Sequence, residues 1–235
     1  MTIPTGIDGL DKLLNGGIPP RSTVLLVGPP GCGKTTFCQQ FIYSGLKNTL
    51  PAFYITLDSS PEDVSKSMEE FRWDLKPFMK QKKMYFLDAY SWKVGGGKEN
   101  ETIKVISGGL DINNINMTLA DILDKIDAAD KRGIFDSLST LLLYTPPELV
   151  MRFIPVLIAK AKKANSTQIL ILEEGVHDEK VVNTLSYMVD GVINMRMDGD
   201  KRLLQVSKMK GASCTRKWVE VAITKEGLHI KGFAK

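Results

Sequence analysis

The sequence has few cysteines and no long apolar run. Cys32, Cys38 and Cys214 are the three cysteines among 235 residues, and none of them stands in the CxxC spacing typical of a zinc site. So few cysteines exclude a disulfide framework and indicate a reducing compartment. No stretch reaches the roughly 18 apolar residues of a membrane span, so we expect none. The N-terminal segment has no basic stretch followed by an apolar one, so we expect no signal peptide and a cytoplasmic location.

The composition is otherwise that of a globular chain. Apolar residues make up 43% and charged residues 25% of the sequence, which excludes disorder of the whole chain. The length fits one larger α/β domain, and neither a linker nor an internal repeat interrupts it. We therefore expect a single domain over residues 1–235. The net charge of +4 permits an anionic partner but does not require one.

Strands and helices are predicted to alternate along most of the chain. Apolar runs predict buried strands at 23–28, 52–57, 84–87, 134–135 and 168–172, and helical periodicity predicts helices at 35–48, 61–71, 119–131 (capped by Thr118) and 148–164. This alternation indicates an α/β fold with a mainly parallel, twisted sheet and helices on both faces. Four segments from 191 to 233 are predicted to be short antiparallel strands. The glycine-rich segment 94–102 is the strongest candidate for a mobile loop.

One motif indicates the functional class. Residues 28–35, GPPGCGKT, match GxxxxGK[ST] in full and lie between a predicted strand and a predicted helix, as a phosphate-binding loop (Walker A motif) requires. The residues expected to bind the phosphates of ATP or ADP are Pro30, Gly31, Cys32, Gly33, Lys34, Thr35 and Thr36. Lys34 is expected to reach the β and γ phosphates, and the Thr35 hydroxyl to bind Mg²⁺. A helix N-terminus lowers a thiol pKa, but we interpret Cys32 as a small residue at a variable position.

Asp136 is the candidate for a second magnesium ligand. It ends the predicted strand 134–135, and the carboxyl ends of parallel strands meet at one edge of a sheet, where ligands collect. Acidic residues also end strands without a catalytic role. The phosphate loop favours the metal role, either directly or through a water molecule.

The motifs, in their order along the chain, resemble those of KaiC-like ATPases of the RecA superfamily. The resemblance rests on TGIDGLDKLLNGGIPPRSTVLLVGPPGCGKTT at 5–36, YITLDSSPEDV at 54–64, FDSLSTL at 135–141, VDGVINM at 189–195, KMKGASC at 208–214 and VAITKEG at 221–227. It covers nearly the whole chain. It implies a RecA-type P-loop core, Mg²⁺-dependent ATPase activity, and ATP bound between the subunits of a homo-oligomer, usually a six-membered ring.

Two acidic positions depart from the family pattern. The resemblance implies a Glu-Glu pair that polarises the attacking water, but Asp58 and Ser59 occupy those places, which predicts slow hydrolysis with Asp58 as the base. Asp58 could instead cap the following helix. Glu173 and Glu174 stand where RecA-like enzymes often place a neutral polar group, and a carboxylate there would repel a phosphate. Either glutamate could bind magnesium or water, replace the missing catalytic glutamate, or turn to solvent.

Lys208-Met209-Lys210 matches the family's Lys-x-Arg pair, which reaches the γ-phosphate of the neighbouring subunit. The two lysines are two residues apart on a predicted strand, so both should point to the same face and could stabilise charge in the transition state. The family's following histidine position holds Cys214. Alternatively, the lysines belong to an exposed edge strand, where such charges block aggregation.

Two functional hypotheses follow from the resemblance. The first is a nucleotide-dependent oligomeric switch or assembly regulator with an unidentified protein partner. The second is a DNA-binding recombination accessory similar to RadA paralogues. The segments 144–152 and 173–182 stand where DNA-binding relatives place their loops, but the second is acidic and neither offers an aromatic stacking platform. We therefore favour the switch and disfavour nucleic acid as a partner.

Overall fold

A ten-stranded sheet organises the part of the chain that the computed structural model describes, residues 2–212 and 216–232. Its strands are β1 (Thr23–Gly28), β2 (Ala52–Thr56), β3 (Met84–Asp88), β4 (Ile103–Val105), β5 (Lys131–Asp136), β6 (Ser166–Glu173), β7 (Gly191–Asp198), β8 (Lys201–Met209), β9 (Val219–Thr224) and β10 (Gly227–Ile230). The strand order is β10-β9-β8-β7-β1-β6-β5-β2-β3-β4. The strands from β7 to β4 in this order pair in parallel, whereas β8, β9 and β10 pair antiparallel.

Helices cover both faces of this sheet, as predicted. They are α1 (Leu10–Leu13), α2 (Lys34–Lys47), α3 (Pro61–Glu69), α4 (Lys76–Lys80), α5 (Ile112–Lys125), α6 (Leu138–Tyr144), α7 (Pro147–Lys163) and α8 (Glu179–Met188), with a 3₁₀ helix at Ser91–Val94. None of the described helices is long and apolar enough to cross a membrane.

The central strand β1 shows why two cores form. All six of its residues are buried, and successive side chains of a strand point to opposite faces. Val24 and Leu26 belong to the core that also contains buried residues of α2 and α3. Leu25 and Val27 belong to the core under α5, α6, α7 and α8. A strand buried on both faces needs a continuous apolar run, and such a run is present in the sequence.

The strand order brings distant parts of the chain to one edge of the sheet. β1 lies between β6 and β7, and Gly28 is in register with Glu173. β5 lies between β6 and β2, with Thr56 in register with Asp136. The carboxyl ends of β1, β2, β5 and β6 therefore meet beside the loop at residues 29–33.

The prediction of a helix at 119–131 capped by Thr118 is wrong at both ends. Helix α5 begins at Ile112 and ends at Lys125, so Thr118 lies inside it. The N-cap is Asp111, whose side chain accepts a hydrogen bond from the backbone N–H of Asn113 at 2.9 Å. Ile115, the first buried residue of α5, lies within the polar run NNIN. Because this run shows little apolar periodicity, the start of the helix was missed.

The prediction of antiparallel C-terminal strands is confirmed for β8, β9 and β10, and it holds for β7 on one side only. Val24 of β1 pairs with Gly191 of β7 in parallel, and β7 pairs antiparallel with β8 on its other side. The reason is helix α8, which crosses over from β6 and returns the chain in the parallel direction. That helix was not predicted from the sequence.

Candidate nucleotide-binding site

The loop at residues 29–33 connects β1 to α2 and has the geometry of an anion site. Gly31 and Gly33 have φ angles of +76° and +104°, which side chains other than glycine rarely tolerate. Gly33 is the N-cap of α2, and no side chain in the described structure caps this helix end. The N–H groups of the first helical turn, at Lys34, Thr35 and Thr36, have no partner within the helix and carry the positive end of its dipole. This arrangement suits a phosphate group.

Lys34 is buried at the base of this loop, with 5% of its surface exposed. Its ammonium group donates hydrogen bonds to the carbonyl oxygens of Gly28 and Pro29, both at 2.8 Å. It also donates to Oε2 of Glu173 at 2.9 Å. The charge is thus compensated by one carboxylate and two carbonyl dipoles, as a buried ammonium requires.

The two glutamates that end β6 have different surroundings. Glu173 is half-buried, and its backbone N–H donates to the Ser139 hydroxyl at 2.8 Å, which ties the end of β6 to α6. Glu174 donates its backbone N–H to the Gly28 carbonyl at 3.0 Å, but its side chain is exposed to solvent. Of the alternatives drawn from the sequence, solvent exposure holds for Glu174, whereas Glu173 turns into the site and pairs with Lys34.

Asp136 is buried beside Tyr54, with 7% of its surface exposed. The Tyr54 hydroxyl donates a hydrogen bond to Oδ2 of Asp136 at 2.5 Å. The pKa of Asp136 is raised to about 7, chiefly by burial and also by the nearby charges of Asp58 and Glu173, whereas the Tyr54 hydrogen bond and Lys34 oppose the rise. Asp136 is thus poised between its neutral and ionised forms near neutral pH.

Asp58 is exposed at the end of the segment that follows β2. The Thr140 hydroxyl of α6 donates a hydrogen bond to Oδ1 of Asp58. The alternative that Asp58 caps α3 is wrong, because the N-cap is Ser60, whose side chain accepts from the Asp63 N–H at 3.1 Å. Asp58 is therefore free of a capping role and points toward α6, the helix that follows Asp136.

The residues fit a magnesium–nucleotide complex. The Thr35 side chain is exposed at the loop, and Asp136 ends the strand two positions away from β1 in the sheet. Hydroxyl and carboxylate oxygens are ligands that Mg²⁺ accepts. In the described ranges no group of three or more His, Cys, Asp or Glu residues could hold a metal alone.

Cys32 belongs to this loop, and its side chain is fully buried. Burial raises the pKa of the Cys32 thiol, although Lys34 lowers it. The thiol is therefore protonated at neutral pH and is a poor candidate for redox chemistry, which agrees with the interpretation as a small packing residue.

The structure separates the residues of the Lys208-Met209-Lys210 motif. Lys208 donates hydrogen bonds from Nζ to the carbonyl oxygens of Ser186, Tyr187 and Val189 at 2.9, 3.2 and 2.6 Å, at the C-terminal end of α8. Met209 is buried. β8 ends at Met209, so Lys208 lies within the strand and the exposed Lys210 follows it.

Three further residues belong to this site and were not predicted from the sequence. They are Tyr54, Ser139 and Thr140, which contact Asp136, Glu173 and Asp58 as described above. The run of hydroxyl residues in FDSLSTL was a possible signal for Ser139 and Thr140. Tyr54 lies inside an apolar strand, and nothing in its sequence context marks it. Cys214, a position of interest in the sequence, lies outside the described residues.

Comparisons with known proteins match nearly the whole chain. The family model described as "ATPase: KaiC" matches residues 3–234. The UPF0273 protein of Thermotoga maritima is 34% identical over 97% of this chain and 95% of its own length. The UPF0273 protein PH0284 of Pyrococcus horikoshii is 34% identical over 97% of this chain and 93% of its own length.

A clock protein and a solved structure are also similar. The circadian clock oscillator protein KaiC of Parathermosynechococcus lividus is 28% identical over 96% of this chain, which spans 41% of that longer protein. The crystal structure of the KaiC-like protein PH0186 from Pyrococcus horikoshii is 25% identical, with a TM-score of 0.79 over 98% of both chains. The mostly parallel sheet with antiparallel C-terminal strands is thus the RecA-type fold of KaiC-like proteins.

Proposed function

This chain belongs to the KaiC family of ATPases, and from that premise we propose that it binds Mg·ATP and hydrolyses it slowly. The observation that carries the proposal is the buried Lys34 in a complete phosphate loop, beside Asp136 at the same edge of the sheet. The whole of residues 1–235 acts as one domain in this proposal. The low cysteine content supports a location in the cytoplasm.

Each residue of the loop has a role in binding. The backbone from Pro30 to Gly33 and the first turn of α2, including Thr36, surround the phosphates of ATP or ADP. Lys34 compensates the charge of the β and γ phosphates, while Thr35 and Asp136 hold Mg²⁺ directly or through water. A bound Mg²⁺ would neutralise charge that develops on the phosphates during transfer.

Asp58 is the proposed group that orients the attacking water. Its exposed carboxylate can accept a proton from water, and the Thr140 hydroxyl fixes its position relative to α6. Ser59 cannot accept a proton near neutral pH. Aspartate is one methylene shorter than the family's glutamate, which supports slow turnover. Glu173 is the second candidate for the catalytic group, and it becomes available once a nucleotide has taken Lys34 from it.

The proposed assembly is a homo-oligomer, most simply a six-membered ring, with nucleotide between neighbours. Lys210 is exposed beyond the end of β8 and can contact the γ-phosphate of an adjacent subunit. Lys208 holds α8 within its own chain, so its part in the contact is to position the segment that carries Met209 and Lys210. Loss of the γ-phosphate removes the charge that Lys210 contacts. The nucleotide state thereby controls the interface and any protein partner bound there.

A DNA-binding role has less support. The segment after β6 carries the exposed Glu174, Asp178 and Glu179, which repel phosphates. The exposed Tyr144 after β5 packs edge-on against Trp92 and lies under the Lys93 ammonium, so its faces are partly covered. These surroundings favour the switch over a nucleic-acid partner.

The mass of the protein in solution, with and without Mg·ATP, followed by phosphate release on the same sample, tests the proposal. We expect a larger species with Mg·ATP and slow release of phosphate. A species that keeps the subunit mass under both conditions and releases no phosphate would contradict both parts of the proposal.

A further inference from the structure

The Lys34 ammonium has no hydrogen left for a phosphate. An ammonium group carries three N–H donors. The carbonyl oxygens of Gly28 and Pro29 and the carboxylate of Glu173 lie 2.8, 2.8 and 2.9 Å from Nζ and engage all three donors. The Cys32 sulfur, at 3.8 Å from Nζ, is a fourth and weaker acceptor. A nucleotide can therefore bind Lys34 through a full hydrogen bond only if one of these partners gives way.

Glu173 is the partner that can give way. The Gly28 carbonyl ends β1 and also accepts the Glu174 N–H at 3.0 Å, so the sheet holds it in place. The Pro29 carbonyl belongs to the backbone of the loop. The Glu173 carboxylate, in contrast, stands at the end of a side chain with rotatable bonds, and 29% of that side chain is exposed. Its backbone is fixed by Ser139, so only the side chain needs to move.

A displaced Glu173 carboxylate stays close to the phosphates, because its backbone does not move away. Asp136 is near enough to Glu173, Asp58 and Lys34 for their charges to act on it, so three acidic groups and one lysine meet at this end of the sheet. An incoming triphosphate adds negative charge to that set. Free ATP carries more of this charge than Mg·ATP does, so the repulsion is greatest when the metal is absent.

We propose that Glu173 is a charge gate: its carboxylate pairs with Lys34 until a nucleotide displaces it, and it thereby makes nucleotide binding depend on Mg²⁺. The inference rests on the proposed function, since it concerns the same ATP site. In this proposal Glu173 determines whether free ATP or Mg·ATP binds more tightly to the site. A free anion must break the Lys34–Glu173 pair and then face the released carboxylate, whereas the metal complex brings a cation that offsets it.

The test is the affinity of the full-length chain for ATP, measured by calorimetry in excess Mg²⁺ and again in EDTA. Three proteins are compared: wild type, Glu173→Gln and Glu174→Gln. Glutamine keeps the size of the side chain and an oxygen for Lys34 but removes the charge. The matched control, Glu174→Gln, removes the neighbouring charge from a side chain that faces solvent.

We expect Glu173→Gln to bind ATP in EDTA about tenfold or more tightly than wild type, with a smaller gain in Mg²⁺. The ratio of the two affinities should therefore fall, while the Glu174→Gln ratio should match wild type. A merely structural role would change both affinities alike and leave the ratio unchanged, which would overturn the gate. Thermal unfolding of each variant, with Glu173→Ala as a second charge-removing change, separates misfolding from altered binding.

The gate and the proposed function fail in different ways. If wild type binds ATP in Mg²⁺ but the ratio is the same in all variants, the gate alone is wrong. If neither wild type nor Glu173→Gln binds ATP in either buffer, the proposed nucleotide site is wrong and the gate falls with it.

Discussion

The Lys34 ammonium and the Glu173 carboxylate lie 2.9 Å apart, although 139 positions separate the two residues in the chain. The parallel pairing of β1 with β6 brings them together, since Gly28 is in register with Glu173. The lysine of the phosphate loop is thus held by an acid at the end of the neighbouring strand. An incoming phosphate must compete with the Glu173 carboxylate for Lys34.

Lys34→Ala should abolish measurable ATP binding or weaken it at least about a hundredfold. The change removes a charge-assisted contact with the phosphates in a partly dry site, an effect of several kcal/mol. It also leaves Glu173 without its cation. Calorimetry with Mg·ATP measures the effect, and Lys47→Ala, at the exposed far end of α2, is the matched control. Equal affinities of wild type and Lys34→Ala would rule out the assigned role of this lysine.

Asp58→Asn should lower the rate of ATP hydrolysis about tenfold to a hundredfold while ATP affinity stays near the wild-type value. The amide keeps an oxygen to accept the Thr140 hydrogen bond but cannot accept a proton from water. Phosphate release at saturating Mg·ATP gives the rate, and Ser59→Ala should leave it nearly unchanged. If Glu173→Gln abolishes hydrolysis and Asp58→Asn does not, the base lies at the end of β6.

Asp136→Asn should be more stable than wild type at alkaline pH in a buffer that contains EDTA. The folded protein raises the pKa of Asp136 from 3.8 to about 7, chiefly by burial, so it holds a proton that the unfolded chain releases between these values. The wild-type free energy of unfolding should therefore fall as pH rises through this window, by about 1.4 kcal/mol per unit at most, and level off above it. Asparagine has no proton to release and keeps an acceptor for Tyr54.

Denaturant unfolding of both proteins at several pH values measures this difference. We expect it to be near zero at about pH 4 and about 1–4 kcal/mol in favour of Asp136→Asn at about pH 8. The charges that act on Asp136 belong to Asp58, Glu173 and Lys34, and its hydrogen-bond donor is Tyr54. A difference that is constant with pH would show that Asp136 ionises normally.

Lys208→Ala should destabilise the chain by about 1–3 kcal/mol, whereas Lys210→Ala should change stability little. Lys208 donates to three carbonyl oxygens at the end of α8, and alanine leaves them without this partner. Lys210 is exposed, and it makes no side-chain hydrogen bond or ion pair with the described residues. Thermal unfolding at a concentration where the chain is dissociated distinguishes the two. Equal losses for both variants would mean that Lys208 does not hold α8.

A mixture of Lys34→Ala and Lys210→Ala subunits should recover part of the ATPase activity that each lacks alone. The first variant keeps Lys210 and the second keeps the phosphate loop, so a contact across an interface can rebuild complete sites. Phosphate release from the mixture is compared with each protein separately, and mass measurement confirms co-assembly. A co-assembled mixture that stays inactive would show that Lys210 does not act on the neighbour's nucleotide.

The sequence alone carried the fold class and the phosphate loop. The motif GPPGCGKT is contiguous, and the apolar patterns of the flanking segments predict the strand before it and the helix after it. No information on distant residues was therefore required to identify the loop. Asp136 was found for a related reason, since the end of a parallel strand already predicts which edge it occupies. The start of α5 was predicted too late because the first turn of this helix is polar. The direction of β7 depends on helix α8, which was not predicted.

Only the tertiary structure decided which side chains of the site meet. The pairs Lys34–Glu173, Tyr54–Asp136 and Thr140–Asp58 each join residues that are far apart in sequence. Lys208 likewise reaches the end of α8 because β8 pairs with β7, the strand that follows that helix. Such contacts depend on strand order and register, which arise from the burial of two cores at once. No local pattern in the chain indicates these contacts. The sequence therefore left three roles open for Glu173, and the structure shows that its carboxylate pairs with Lys34.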